Sequence, residues 1–504
     1  MKSPLALLGC FLALHAAAHA AALKPASNVQ NPAVSPRAAR VPDAVVRVNS
    51  TVQSYDFARP WEKKSPMLRR GTGAVLEGGR VLVTAELVAN KTHLEIEQPR
   101  TSDKSPAKIV AVDYDANLAL IEPERPGFLE GMDHFSLAEN AAVGDSVEIL
   151  QLEANGEIAR TPATVTTITV APYPLDSVAL LLFRLSAPLQ SRDSSFVLPA
   201  LRGGKLLGLL MRYDARTQTA ELIPAPVISR FLASAALSPN GGVPRLGISI
   251  ASTQDPQFRK FLGLSEPGGI YVTEVYPDSP AARAGLRKGD VITAIEGIPI
   301  DQDGLYEDPH FGKIAFSYLL TSRSPAPETP PLTLTYLRDG HRADIKIQPE
   351  PLDRKKMVSE PNVFDQAPRY VVLGGLVFEE LSRTFLREWG ANWKKTAPQR
   401  LVYLDAFQNE LPPDHGKVVF LASILPSPET LGYEGLENLV VTNVNGLPVK
   451  SLDDLAQAIK TPRNGFHRIE FEEDPGFIIL DAHSIEQSAG SLARDYEIPA
   501  LQNL

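Results

Sequence analysis

From Ala44 to about Leu237 the chain alternates short apolar runs with glycines and turn residues: Gly73-Ala74-Val75-Leu76, Val81-Leu82-Val83, Ile109-Val110-Ala111-Val112 and Leu206-Leu207-Gly208-Leu209-Leu210. Runs of this length, closely spaced and rich in branched residues, predict β-strands in a barrel pair or a sandwich. A break follows at Ser238-Pro239-Asn240-Gly241-Gly242. A second module then runs from about Pro244 to Pro349, a polar, proline-flanked linker spans Glu350 to Pro368, and a third module runs from about Arg369 to Ile498. The second and third modules each place a turn after a strand, Glu296-Gly297-Ile298-Pro299-Ile300 and Asn445-Gly446-Leu447-Pro448-Val449, the mark of a diverged internal repeat. A chain of 504 residues has room for about three or four domains.

The N-terminal residues have a different pattern. Lys2 precedes an apolar run, Pro4 to Leu14, and Ala18-His19-Ala20 offers a small-x-small cleavage site. This is the form of an export signal, residues 1–20, and the run is too short to span a bilayer. No later stretch is long and apolar enough to do so, so an exported chain, periplasmic or extracellular, is expected. Leu7-Leu8-Gly9-Cys10 resembles a lipoprotein processing site, but Phe11-Leu12-Ala13-Leu14 carries the apolar run past the cysteine. Residues 21–43 are Ala/Pro/Ser-rich without periodicity and read as a disordered tail.

Composition narrows the chemistry. Cys10 is the single cysteine, so cleavage after Ala20 excludes disulfides and thiol catalysis. The formal net charge is -9 and no basic stretch carries interleaved aromatics, which argues against nucleic acid and anionic membranes as partners. Phosphate-binding glycine loops, HExxH and paired Cys/His sets do not occur, and no metal or cofactor is expected. Asp301-Gln302-Asp303-Gly304 opens like a calcium loop but lacks the downstream acidic ligand, so it reads as a turn.

The most specific motif lies in the second module. Gly269-Ile270-Tyr271-Val272-Thr273-Glu274-Val275 is followed by Pro277-Asp278-Ser279-Pro280-Ala281-Ala282-Arg283-Ala284-Gly285-Leu286 and Lys288-Gly289-Asp290-Val291-Ile292. It predicts a strand, then a short helix opened by Ser279-Pro280 and closed by Gly285, then a turn into the next strand. This pattern resembles a circularly permuted PDZ domain. The resemblance makes Arg245-Leu246-Gly247-Ile248 the loop that receives a peptide C-terminus, and Ile248-Ser249-Ile250 the strand that pairs with it. A helix expected over about Lys313–Thr321 would form the other wall, with Ile314, Ser317 and Tyr318 facing the peptide. The third module is a weaker likeness of the same domain: Leu373-Gly374-Gly375-Leu376 mimics the groove loop and Phe477-Ile478-Ile479-Leu480-Asp481 the closing strand.

With that order of modules the chain resembles the Deg/HtrA serine proteases, in their plant-type branch. The implied fold is mostly β: a trypsin-like double β-barrel at 44–237 followed by two PDZ-like α+β domains, 244–349 and 369–498. The barrel motifs are recognisable, and the triad is altered. Val81-Leu82-Val83-Thr84-Ala85-Glu86-Leu87-Val88 puts Glu86 where the family carries its general-base histidine. Val112-Asp113-Tyr114-Asp115-Ala116-Asn117-Leu118-Ala119-Leu120 puts Asn117 where the family carries the aspartate. Ser191-Arg192-Asp193-Ser194-Ser195-Phe196 stands in the place of the nucleophile loop, with Ser194 the nucleophile equivalent, or Ser195 if the register moves by one. A serine hydroxyl without an adjacent base is a poor nucleophile, and a carboxylate of ordinary pKa is a poor base for it. Arg192, Ser195 and Phe196 put side chains where the family keeps glycines around its oxyanion loop. His93 lies on a different strand.

No catalytic residue is therefore expected. The reading is a pseudoprotease that binds peptide C-termini or unfolded chains as chaperone, adaptor or regulator. The alternative is an active serine endopeptidase of protein quality control. The family likeness further implies a trimer-based homo-oligomer, or co-assembly with an active paralogue.

Overall fold

The structure is a computed structural model that describes residues 44–99, 101–175, 178–189, 197–237, 242–264, 268–351, 353–412 and 414–504. Ser191 to Phe196, and with them Ser194 and Ser195, lie outside the described residues, as do residues 1–43. The fold is mostly β, as the alternation predicts. Two closed barrels come first, each of six strands. Around the first run Val45–Val52, Met67–Leu76, Arg80–Val83, Leu118–Pro123, Lys104–Asp113 and Lys91–Glu97. Around the second run Ile158–Pro172, Ala179–Ser186, Thr219–Pro224, Lys205–Asp214, Pro199–Arg202 and Ser146–Leu152.

Two glycines in Gly71-Thr72-Gly73 serve close packing rather than a turn. A Cβ on Gly73 would come within 2.4 Å of Val81 Cγ1, and one on Gly71 within 2.8 Å of Leu87 Cδ2. The strand thus lies directly against the short helix Ala85–Val88, which carries Glu86.

The second module is a twisted sheet in the order Ile248–Ala251, Ile270–Val275, Val291–Ile295, Leu332–Arg338, His341–Ile347. Its helix Pro280–Ala284 forms as the motif predicts: the Ser279 side chain accepts from the Ala282 N–H, and Gly285 closes the helix at φ 92°. The expected helix over Lys313–Thr321 is shorter than the pattern suggested. Leu305–Asp308 and Gly312–Ala315 form a β-hairpin, and only Ser317–Thr321 is helical. Gly312 at φ 67° allows that turn, and the hairpin points Ile314 into the core at 2% exposure.

The third module repeats the order with Leu376–Glu380, Val419–Ile424, Leu439–Val444, Phe466–Phe471 and Phe477–Asp481. It adds two strands, Tyr370–Leu373 and Gln502–Asn503, outside the first of these. Helices Arg383–Leu386, Trp393–Thr396 and Gln399–Ala406 build a separate core on its other face, with Phe385, Leu401 and Phe420.

The barrels and the second module share one continuous core, in which Phe183 of the second barrel meets Phe311 of the hairpin with ring centroids 5.9 Å apart. They also meet at a charged junction. Asp113 and Asp115 of the first barrel are both buried. Asp115 pairs with Arg354 of the second linker and, at 3.5 Å, with Arg245 of the second module. It also accepts the Val243 N–H at 3.2 Å. Arg230, from helix Ala225–Leu237, contributes positive potential to both aspartates and donates to the Gly242 carbonyl at 2.7 Å. Burial, with the Asp115 charge beside it, pushes Asp113 up to about 6 against the pull of the Ala116 N–H, Arg230 and Arg354.

This sets a pH dependence. A carboxyl raised from 3.8 to about 6 contributes stability that is full at acid pH and is lost as pH rises through about 6. Asp113→Asn should therefore raise the midpoint of thermal unfolding at pH 7.5, by an equivalent of roughly 3 kcal/mol, by about half as much at pH 5, and hardly at all below about pH 4. Parallel thermal melts at these pH values check it; an equal shift at all of them would assign the effect to packing rather than charge.

Candidate peptide groove and altered catalytic cleft

In the second module the loop Arg245–Ile248 is held by its own carbonyls. Leu246, almost fully buried, accepts the Ala281 N–H at 3.0 Å, and Gly247 accepts the Tyr276 N–H at 2.9 Å. A trans peptide points its C=O and N–H in opposite directions. The Gly247 and Ile248 N–H groups are therefore directed away from the module, the arrangement that can receive a carboxylate. Gly247 sits at φ 76°, and a Cβ there would come within 2.3 Å of Ser279 Cβ.

The strand Ile248–Ala251 pairs on one side with Ile270–Val275 and is the edge of the sheet among the described residues. Ile248 packs partly on the core, Ile250 is exposed, and the Ser249 hydroxyl meets the Tyr276 hydroxyl at 2.7 Å. Arg245 leaves the loop toward Asp115. Of the residues expected on the opposite wall, Ser317 begins the helix and is half-buried. Ile314 is a core strand residue. Tyr318 turns toward the second barrel, its ring 5.6 Å from Phe311 in a hollow lined also by Leu137, Pro226 and Asp308. Burial and the nearby Asp308 push the Tyr318 hydroxyl up to about 12.

In the third module the corresponding groove is filled from within. Leu376–Glu380 matches Ile248–Ala251 in sheet order, and its outer side is taken by Tyr370–Leu373, antiparallel, through the two-residue turn Gly374–Gly375. Val371 and Leu373 pack in one core with Leu452 and Leu455 of helix Leu452–Ala458, which precedes the next strand as Ser317–Thr321 does in the second module. The Leu-Gly-Gly-Leu run that mimics a groove loop is thus the turn of a hairpin.

In the first module the two positions that the motifs single out lie side by side. The Glu86 N–H donates to Asn117 Oδ1 at 3.0 Å, so positions 86 and 117 are adjacent, as the motif alignment requires. Asn117 is fully buried at φ 52°, and its Nδ2 has no hydrogen-bond partner among the described residues. The Glu86 side chain is exposed, and its carbonyl accepts from Arg69 at 2.5 Å. His93 lies on strand Lys91–Glu97, exposed, 3.6 Å from Glu95.

Residues that the motifs did not flag close around this cleft. Asp365 of the linker exchanges hydrogen bonds with Asn90, at 2.7 and 2.8 Å, and also accepts from the Tyr114 hydroxyl. Phe364 stacks on Tyr114 with centroids 4.5 Å apart. Phe364, Leu175, Lys64, Met67 and Glu86 line one hollow. Nothing in a short polar linker signals this docking in the sequence.

Comparison with known proteins agrees with the modules. PDZ-domain family models match residues 271–305 and 359–502. The chain is 25% identical over 468 residues to "Protease Do-like 2, chloroplastic" of Arabidopsis thaliana, covering 91% of this chain and 74% of that one. It is 25% identical over 469 residues to "Putative protease Do-like 3, mitochondrial" of the same plant, covering 91% and 79%. Among solved structures, "HtrA-type protease AlgW with decapeptide" aligns at a TM-score of 0.47 and 17% identity, over 62% of this chain and 97% of that one. The homologues are Deg/HtrA-type proteases with PDZ domains.

The loop geometry predicts that Gly247→Ala destabilises the chain by roughly 2 kcal/mol or more, because a left-handed backbone and a clash with the Ser279 cap add together. Chemical unfolding of the full chain measures it; a variant as stable as the parent would mean that the loop is not held as described.

Proposed function

We propose that this homologue of the PDZ-bearing Deg/HtrA proteases is a pseudoprotease that captures exposed peptide C-termini in the groove of its second module. One observation carries the reading: an open edge strand beside an outward-facing pair of N–H groups in the second module, set against a self-filled groove in the third. A peptide adding to Ile248–Ala251 would complete the sheet by β-augmentation, with its terminal carboxylate at Gly247 and Ile248. The apolar Ile248 and Ile250 favour an apolar terminal residue. The third module, with its groove occupied by Tyr370–Leu373, serves architecture in this reading.

Loss of proteolysis is supported by chemistry at the paired positions. Asn117 in the aspartate's place cannot stabilise an imidazolium, and Glu86 supplies no imidazole to stabilise. Loss of a catalytic triad costs on the order of 10⁶ in rate. Export, trimer-based assembly and co-assembly with an active paralogue belong to the same proposal. Export rests on the pattern of residues 1–20, and assembly on the family likeness. The chloroplastic and mitochondrial names of two relatives make an organelle the competing destination.

The full chain from residue 21 should leave unfolded casein intact over hours under conditions in which an active protease of this type degrades it. Hydrolysis that disappears in Ser194→Ala would overturn the pseudoprotease reading. A peptide ending in an apolar residue should bind with a micromolar dissociation constant, about -8 kcal/mol. Amidating its C-terminus should weaken binding at least tenfold. Titration by fluorescence anisotropy tests both, and equal affinity for the acid and the amide would remove the carboxylate from the recognition.

A further inference from the structure

The hairpin formed by Tyr55–Asp56 and Arg59–Lys63 leaves the first barrel and lies against the third module. Phe57 is buried in the core of Leu381, Phe385, Leu401 and Phe420. The Trp61 ring stands 5.7 Å from Tyr370. The Ser423 hydroxyl donates to the Ala58 carbonyl at 3.4 Å, and Lys64, just past the hairpin, pairs with Glu388. Lys64, Ser65 and Met67 then line the hollow that contains Glu86 and Phe364, so the docked hairpin holds one wall of the altered cleft.

A carboxyl lies in this contact. Glu379 is on strand Leu376–Glu380, opposite Tyr370 on one side and Phe420 on the other, at 2% exposure. Its neighbour Glu380, on the opposite face, is bonded to Arg369 and to the Leu452 N–H. Glu379 has no such cation. The charged groups that act on it are Asp56 of the hairpin and Glu388 of the turn after Leu386, both negative. Lys64 is engaged with Glu388, Arg369 with Glu380 and Asp453, and the Tyr370 hydroxyl with the Ala500 carbonyl. Glu379 Oε1 and Trp61 Nε1 are both buried without a hydrogen-bond partner among the described residues. A neutral carboxyl tolerates such a place, and an ionised one does not.

We propose that Glu379 is the release of this dock: protonated, it seats the hairpin on the third module; ionised, it expels the hairpin and frees one wall of the cleft. Burial, then the charges of Asp56 and Glu388, hold its carboxyl well above the usual range. A raised carboxyl makes the docked state strongest at low pH and weakens it as pH rises through the docked-state value. The Phe57 and Trp61 contacts belong to one hairpin, while Arg387 still holds the Leu175 carbonyl of the second barrel region, so release is local.

The test is limited trypsin digestion of the full chain between pH 6 and 9. Cleavage at Lys63 and Lys64 is read as the ratio of wild type to Glu379→Gln at each pH, which cancels the protease's own pH dependence. The ratio should rise about tenfold or more between pH 6 and pH 9, while sites elsewhere keep a ratio near one. A flat ratio overturns the proposal, and so does a rise at all sites together, which marks global unfolding. Asp56→Asn, which removes one repelling charge and so lowers the docked-state value, should make the rise with pH end earlier and reach a smaller maximum even if Glu379→Gln fails to fold; an unchanged rise also overturns it.

Discussion

Asp113 and Asp115 are carried into the protein on the last turn of one barrel strand, and a carboxylate at that depth has to be neutral or held by cations. The cations come from three places far apart in sequence: Arg230 from the helix leaving the second barrel, Arg245 from the loop opening the second module, and Arg354 from the linker leaving it. The same Asp115 takes the Val243 N–H. Entry to and exit from the second module are thus fastened at one point, where Pro244–Arg245 also pairs with Glu350–Pro351. Moving any of these segments would expose or strand a buried charge. That cost ties the peptide loop's position to the turn that ends in Asn117, and so ties the groove to the altered cleft.

A second constraint is the sheet edge. An unpaired edge offers N–H and C=O groups to whatever strand arrives. The third module meets this by folding Tyr370–Leu373 back onto its own edge and closing the far side with Gln502–Asn503. The second module, built in the same order, leaves Ile248–Ala251 without a second partner among the described residues. Two modules with one strand order therefore hold opposite states of one sheet edge. The difference traces to a few residues: a strand joined directly to Leu376 by a two-residue turn, against a loop in which Gly247 instead faces the Ser279 cap.

The barrels and the second module were legible because their signals are local. Alternation in Val81-Leu82-Val83, the Ser279 cap and the left-handed Gly285 act within one turn of chain. The wall helix was misread for the complementary reason. Phe316 and Leu320 have the i, i+4 spacing of a helix, but Ile314, two residues before Phe316, does not share their face; the Asp308–Gly312 turn pairs Gly312–Ala315 with Leu305–Asp308, and burial of Ile314 settles the strand. In the third module Leu-Gly-Gly-Leu was read as a groove loop because sequence does not reveal that the preceding strand fills the groove. Illegible altogether were Asp365 on Asn90, 275 residues away, and Phe57 in the third module's core. Pairings across such distances leave no periodic trace in either segment.

The pair at positions 86 and 117 has its own structural logic. Position 117 still receives the backbone N–H of position 86, a bond that fixes the loop whether the side chain is a carboxylate or an amide. Asparagine also tolerates the left-handed φ of 52° required at the end of that turn. An amide at this place therefore serves the fold as well as a carboxylate would. Its Nδ2 is a buried donor without a hydrogen-bond partner among the described residues. With Asp365 and Phe364 drawn over the same surface from the linker, the space beside Glu86 has become part of how the modules are held together.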